Sequence, residues 1–422
     1  MAIDLAVWVM YFVSIYFAVF WMTVILDNKI KDIPAKKSKK AIPKVSVTIP
    51  MFNEENSVIG TIESVLGLNY PAKKLQIILV NDCSTDNTHN VVQNFLKENK
   101  TRLKDFDIRY INHKVNSGKG VAMNNALKIS TGDLFVCLDA DSFVEPDALR
   151  KIAPYFEDEN VASVLPLMKL KKVKGFALNL QYVEYLVNFF LKKVMGLLDC
   201  IHVTPGPFGV YSKKILQKVG GFDTDNLTED LEMALRLQKR NYKIIQLIGA
   251  KVFTLAPEKM KGWFNQRNRW YKGTLINLLN YRGMFFNKKY GEFGMFHLPM
   301  VLSAAIISIF FAFFVMWKHM IKPLLGKVYD LSFINFDVVH LSNVWVERFS
   351  FLDINYMILF FTFIIFTFGV AWVVYAFKYT EETFTKKGLA STAMFMVIYP
   401  FFLSVVWLGV VFDLARGKKQ KW

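Results

Sequence analysis

A chain of 422 residues has room for one sizeable folded domain and something more. Being 53% hydrophobic yet 21% charged, it fits neither an ordinary soluble enzyme nor a pure membrane bundle, and a soluble domain fused to membrane spans suits it best. The net charge of +17 is concentrated beside apolar runs, where lysines orient a chain in a bilayer and meet anionic lipid, so the expected partner is a lipid bilayer and no nucleic acid.

The first element in chain order is Leu5–Leu26, an uncharged run longer than the roughly 18 residues that mark a membrane-spanning helix. It has no basic start and no small-residue cleavage site, so it reads as an anchor over residues 1–28, not a signal peptide. Lys29, Lys31, Lys36, Lys37, Lys39, Lys40 and Lys44 follow in a basic linker, residues 29–44. This flank puts the N-terminus outside and the linker in the cytoplasm. The three cysteines, Cys83, Cys137 and Cys200, make no metal pair or disulfide framework, which suits a reducing compartment.

Residues 45–258 read as an α/β domain. Strands are predicted at Val45–Pro50, Leu75–Val80, Ile108–Ile111, Asp133–Leu138, Ala162–Leu165 and Lys243–Ile248, with helices near Ser57–Leu66, Thr88–Leu96 and Gly120–Ile129. Such alternation implies a largely parallel sheet whose ligands bind at the carboxyl ends of its strands. The turns there carry polar groups. Pro50, Asn53 and Glu54 lie in the first. Asp82 lies in the second, placed to accept from a base or ribose or to cap the next helix together with Asp86. Lys119, between two glycines at a helix start, suits a phosphate. Asp139-Ala140-Asp141 follows the fourth strand, and in an extended segment its two carboxylates would face one ligand. Hard cations such as Mg²⁺ or Mn²⁺ take such oxygens and share them with a diphosphate.

Two later segments, Phe176–Leu198 and Gly262–Phe286, are aromatic-rich but charged. Core helices are one reading; helices lying along the membrane surface, over 176–199 and 259–295, are the preferred one. Between them Thr228-Glu229-Asp230 opens the helical run Leu231–Lys239, where acids favour the helix dipole. Gln266, Arg269 and Trp270 are spaced i, i+3 and i+4, on one helix face. Residues 296–422 hold three more uncharged runs, Leu298–Trp317, Tyr356–Phe377 and Ser391–Phe412, making about four transmembrane helices in all. Alternation puts the C-terminus outside, against the preference of its tail, Arg416, Lys418, Lys419 and Lys421, for the inside.

The ordered set Asp82, Asp139-Ala140-Asp141, Thr228-Glu229-Asp230 and Gln266-Arg267-Asn268-Arg269-Trp270 resembles the pattern of family 2 inverting glycosyltransferases. Within that family it is similar to the processive membrane synthases of cellulose, chitin, hyaluronan and poly-N-acetylglucosamine. The resemblance implies a GT-A, Rossmann-like catalytic domain with its face to the cytoplasm at the plasma membrane. It also implies a UDP-sugar donor, UDP-N-acetylglucosamine preferred on the likeness of Thr204–Gly209 to the chitin- and hyaluronan-type loop, and a saccharide acceptor. Nucleotide contacts would come from Pro50, Asn53, Glu54, Asp82, Lys119, Asp139, Ala140 and Arg269. Asp141 and Asp139 would hold the metal. Asp230, with Glu229 and Arg269, would be catalytic, Asp230 as general base. Gln266, Trp270, Gly206 and Pro207 would meet the acceptor, the Trp270 ring suiting a pyranose face. Polymer export through the spans is a possible added role. Two alternatives stay open: single-sugar transfer to a polyprenyl phosphate or glycolipid, and a transporter with a regulatory domain. The spans' lack of ionisable residues speaks against the latter.

Overall fold

The computed structural model describes residues 2–27, 32, 41–333, 355–383 and 386–417. The lysines at 29, 31 and 36–40, and the tail lysines 418, 419 and 421, lie outside these residues. Eight strands form one sheet: β1 (Val45–Met51), β2 (Leu75–Asn81), β3 (Asp107–Asn112), β4 (Leu134–Cys137), β5 (Ser142–Val144), β6 (Val161–Leu170), β7 (Gly209–Ser212) and β8 (Lys243–Thr254), in the order β3-β2-β1-β4-β7-β6-β8-β5. The longer helices are α1 (Ala2–Asp27), α2 (Val58–Leu66), α3 (Thr88–Glu98), α4 (Lys119–Ile129), α5 (Phe176–Gly196), α6 (Glu229–Lys239), α7 (Met260–Asn280), α8 (Leu298–Met316), α9 (Lys322–Phe333), α10 (Tyr356–Tyr379) and α11 (Lys386–Ala415).

All six predicted strands are present. The sheet is mixed, where a largely parallel one was expected. The β3-β2-β1-β4 half is parallel, but β7 runs antiparallel to both β4 and β6, and β5 antiparallel to β8. Neither β7 nor β5 stands out as an apolar run: each has only three or four residues and borrows its stability from neighbours. The parallel half positions the site. Because Pro50 pairs with Val80 and Thr48 with Cys137, the chain leaves β1, β2 and β4 at one edge. β1 and β2 are buried along almost their whole length, as near-continuous apolar strands covered on both faces must be.

Helix α5 has the contacts of a core helix. One side packs on β6 and β8, the other on α10 and α11, and thirteen of its residues are buried. It is a core helix wedged between sheet and spans.

Among the described residues four helices are long and apolar enough to cross a membrane: Leu5–Asp27, Phe293–Met316, Tyr356–Tyr379 and Gly388–Ala415. The second starts earlier than its sequence suggested because a π-helical turn, Phe293–His297, leads into α8. The connections after α1 and α10 are tied to the α/β domain. Asp32 accepts from Lys193 Nζ at 2.9 Å and from the backbone of Ile248 and Gly249. Lys251 and Lys169 each pair at 2.7 Å, with Glu381 and Glu382 respectively. Asp32, Glu381 and Glu382 therefore lie against the α/β domain.

Candidate active site

The edge loops interlock before any ligand is considered. Asn53 takes a left-handed φ of 57°, and its Oδ1 accepts from Thr85 N at 2.8 Å, joining the turns after β1 and β2. Asp82 is 4% exposed and both of its oxygens are engaged. Oδ1 accepts from His113 Nδ1 at 2.7 Å and Ser117 N at 3.0 Å, and Oδ2 from Gly118 N at 2.7 Å. Asn125 Nδ2 lies 3.1 Å from His113 Nε2, so the ring is held from both of its nitrogens. Asp82 thus shapes the 113–118 segment that delivers Lys119, a role its position in the sequence did not reveal. Gly118, with φ of 88°, makes the turn into α4 at no steric cost. Asp86 accepts from Thr88 N at 3.0 Å and Glu55 N at 3.2 Å, the helix-start role expected of it.

Asp139 and Asp141 are not in an extended segment. Ser142 N donates to Asp139 O at 3.0 Å, closing a tight turn, and this turn, not strand alternation, sets the two carboxylates. Ala140 is buried, its carbonyl accepting from Thr61 Oγ1 at 2.8 Å. Burial, followed by the charges of Asp139 and Glu54, pushes Asp141 up to about 7. Burial also raises Glu54, against the hydrogen bond from Ser57.

Lys119 Nζ donates to Asp139 Oδ1 at 2.6 Å and lies 3.4 Å from Glu229 Oε1. Burial opposes its charge, but Asp139 and Glu229 outweigh this and hold the ammonium well above its usual range. Gly206 belongs here too. A Cβ on it would stand 2.5 Å from Lys119 Nζ and 3.0 Å from Asp139 Oδ2, so the loop approaches this pair closely, and its neighbour Pro207 is half-buried. Thr204 ties the same loop to the start of α6 by donating from Oγ1 to Asp230 O at 2.7 Å.

Glu229 and Asp230 open α6. Asp230 Oδ1 accepts from Leu231 N at 2.8 Å. Burial raises Asp230, partly offset by Lys119, the Leu231 amide, Lys192 and Arg269. Burial likewise raises Glu229 against the pull of Lys119. Asp230 therefore feels cations from three separate segments. Lys192, on α5, is one that the sequence did not single out; burial lowers it to about 8. Its only signal was a charge within an aromatic-rich run.

Helix α7 brings Gln266, Arg269 and Trp270, all half-buried, to this side. Two residues a turn or more further on dock it against the start of α6. Asn277 Nδ2 donates to Thr228 Oγ1 and Asn226 Oδ1, each at 3.0 Å, while Asn226 Nδ2 returns a bond to Asn277 Oδ1 at 2.8 Å. Gly273 lies so close that a Cβ would fall 2.4 Å from the Thr228 side chain. Gly273→Val should therefore separate α7 from the turn that opens α6, costing about 1–3 kcal/mol of stability and lowering turnover. Chemical denaturation together with initial rates checks both.

The carboxylates fit a divalent cation. Glu54, Asp139 and Asp141 supply hard oxygens, and burial first, then the neighbouring carboxylate charges, raises Glu54 and Asp141. Among the described residues no three His, Cys, Asp or Glu side chains close on one point. This set suits an ion that completes its shell with ligand oxygens.

An α/β sheet with paired acids, a lysine and a helix-borne arginine at one edge defines the class of nucleotide-sugar glycosyltransferases of GT-A fold. The family is shown by two matching models: "Glycosyl transferase family 2" over residues 46–220 and "Glycosyl transferase family group 2" over residues 134–410. The chain belongs to glycosyltransferase family 2. Poly-beta-1,6-N-acetyl-D-glucosamine synthase of Staphylococcus epidermidis is 29% identical over 271 residues, covering 62% of this chain and 64% of that protein. The probable glycosyltransferase YdaM of Bacillus subtilis is 27% identical over 370 residues, covering 82% and 84%. Among solved structures, the mannosyltransferase PcManGT from Pyrobaculum calidifontis, in complex with GDP-Man and Mn²⁺, matches with a TM-score of 0.64 at 16% identity over 99% of both chains. That likeness establishes a shared fold.

Proposed function

We propose that this glycosyltransferase is metal-dependent and inverting, and that it adds sugar from a UDP-sugar, UDP-N-acetylglucosamine preferred, processively to a β-linked polysaccharide at the cytoplasmic face of the plasma membrane. The observation that carries the reading is the convergence of Lys119, Asp139, Asp141, Glu229, Asp230 and Arg269 on one edge beside the helix bearing Trp270. The name of the S. epidermidis relative supports the donor and the polymer, and the Mn²⁺ of the archaeal neighbour supports a metal. In this reading residues 45–258 form the catalytic domain, with the remainder anchoring it and lining the acceptor path.

The acceptor hydroxyl oxygen bonds to the anomeric carbon as its proton passes to Asp230. The bond from that carbon to the diphosphate oxygen breaks, and its electron pair leaves with UDP. Arg269 and Lys119 stabilise the charge gathering on the diphosphate, Arg269 through a forked contact. A divalent ion held by Asp141 and Asp139 would act as a Lewis acid on the same oxygens. Asp82, through His113 and the 113–118 segment, keeps Lys119 in place. Glu229 balances that lysine from the other side, leaving Asp230 to act as the base.

The test uses the purified full chain with Mn²⁺ or Mg²⁺ and a panel of UDP-sugars, scored for UDP release and product size. The expected result is release with one sugar and a ladder of long products. A single transferred sugar would support the non-processive alternative and refute the polymer reading. Trp270→Ala should raise the acceptor KM by about tenfold, the loss of one aromatic platform, with the donor KM unchanged.

A further inference from the structure

Helices α5 and α7 meet across a buried ion pair that the reaction itself does not use. Glu184 is 2% exposed and Arg267 is 0% exposed. Arg267 donates from Nε to Glu184 Oε1 at 2.6 Å and from Nη2 to Oε2 at 2.8 Å. Two more donors complete the carboxylate: Tyr399 OH, from α11, at 2.7 Å and Trp263 Nε1 at 3.3 Å. The remaining guanidinium nitrogen, Nη1, donates to Gln266 Oε1 at 2.5 Å. Arg267 Cζ also stands 4.0 Å from the centroid of the Trp270 ring. The last span holds the same helix at a second level, where a Cβ on Gly409 would lie 2.7 Å from Phe264 Cζ.

Stability alone gives this arrangement no advantage. Removing two charges from water costs about what their attraction returns, and apolar pairs of similar volume often serve as well. What an apolar pair would not supply is a planar cation fixed against one face of Trp270 and a donor that orients Gln266. With the guanidinium on one face of the indole, only the opposite face is left for a sugar ring.

We propose that Glu184 and Arg267 are positioning residues for the acceptor site, and that Tyr399 makes the last span part of its scaffold. Glu184 orients the guanidinium, and the guanidinium orients Trp270 and the Gln266 amide. This rests on the reading of Trp270 as the acceptor platform.

The full chain in lipid nanodiscs, with Mn²⁺, UDP-N-acetylglucosamine and a short β-linked N-acetylglucosamine oligosaccharide, provides the test. Arg267→Met alone strands a buried carboxylate and is expected to lower the thermal midpoint. The double variant Glu184→Leu/Arg267→Met removes both charges and should regain the midpoint. It should nevertheless keep an acceptor KM raised about tenfold, with the donor KM near wild type. Tyr399→Phe deletes one hydroxyl and should raise the acceptor KM about threefold while lowering the midpoint less than Arg267→Met does. Recovery of the acceptor KM in the double variant, a parallel rise in both KM values, or an unaltered acceptor KM in Tyr399→Phe would overturn the positioning role. An unaltered acceptor KM in Trp270→Ala would instead remove the acceptor reading beneath it. A raised KM there with a normal one in the double variant defeats only the present proposal.

Discussion

Asp230→Asn is expected to lower kcat by about a thousandfold while donor binding persists, because asparagine keeps the shape of the side chain but takes no proton. In the proposed mechanism this residue, and not Glu229, is the base. Glu229 lies 3.4 Å from Lys119 Nζ, a partner that holds it as a fixed counter-charge. Asp230 spends one oxygen on the Leu231 amide and is influenced by Lys119, Lys192 and Arg269. Burial raises its proton affinity, which makes it a better proton acceptor than an exposed aspartate. The sign of the pH dependence follows. A base must be ionised to act, so kcat should rise with pH through a value above the ordinary carboxylate range, then level. The limb should vanish in Asp230→Asn. Glu229→Gln should instead weaken donor binding through Lys119. UDP release measured between pH 5 and 9 separates the two, and an Asp230→Asn enzyme with wild-type turnover would rule out this assignment of the base.

Much of this site was legible in the chain because family 2 chemistry places its residues in turns with strong local signals. Asp82 and Asp139-Ala140-Asp141 each follow an apolar strand, and a strand of buried residues ends where its polar loop begins. The parts that remained hidden are those decided by packing across long separations. Strands β5 and β7 are too short to carry a pattern, and their antiparallel pairing depends on where β4, β6 and β8 already lie. Glu184 and Arg267 are 83 residues apart, and in a linear reading each was simply a charge on an amphipathic helix. Gly273 and Asn277 gave no signal, since a glycine within a helix reads as a weakness until the Thr228 side chain is seen against it. The period-two argument for Asp139 and Asp141 failed because the chain turns there. Their proximity nevertheless survives, since a tight turn also brings i and i+2 together.

Removing the divalent ion, or its ligand in Asp141→Asn, should weaken UDP-sugar binding by at least about a hundredfold, and the pH dependence of that loss is diagnostic. Asp141 is raised to about 7 by burial and by the charges of Asp139 and Glu54, so protons compete with the metal for it. Apparent metal affinity should fall up to about tenfold per pH unit below about 7 and be flat above it. The metal-free fold shows the complementary trend. A carboxyl whose folded pKa exceeds its unfolded one stabilises the fold below the unfolded value, and that contribution is lost as pH rises through the folded pKa. For Asp141 this window runs from the ordinary carboxyl value of 3.8 to about 7. The metal-free protein should therefore lose stability across that range, and added Mn²⁺ should raise the thermal midpoint most above pH 7. Asp141→Asn, which removes the charge but can still meet Ser142, should make the metal-free protein more stable at pH 8, by on the order of 1–3 kcal/mol, while abolishing the response to Mn²⁺. Gain of stability with loss of activity at one residue is what a ligand held under strain for its metal predicts. A metal-free midpoint that is independent of pH between 4 and 8, with an Mn²⁺ shift retained in Asp141→Asn, would remove Asp141 from the metal site.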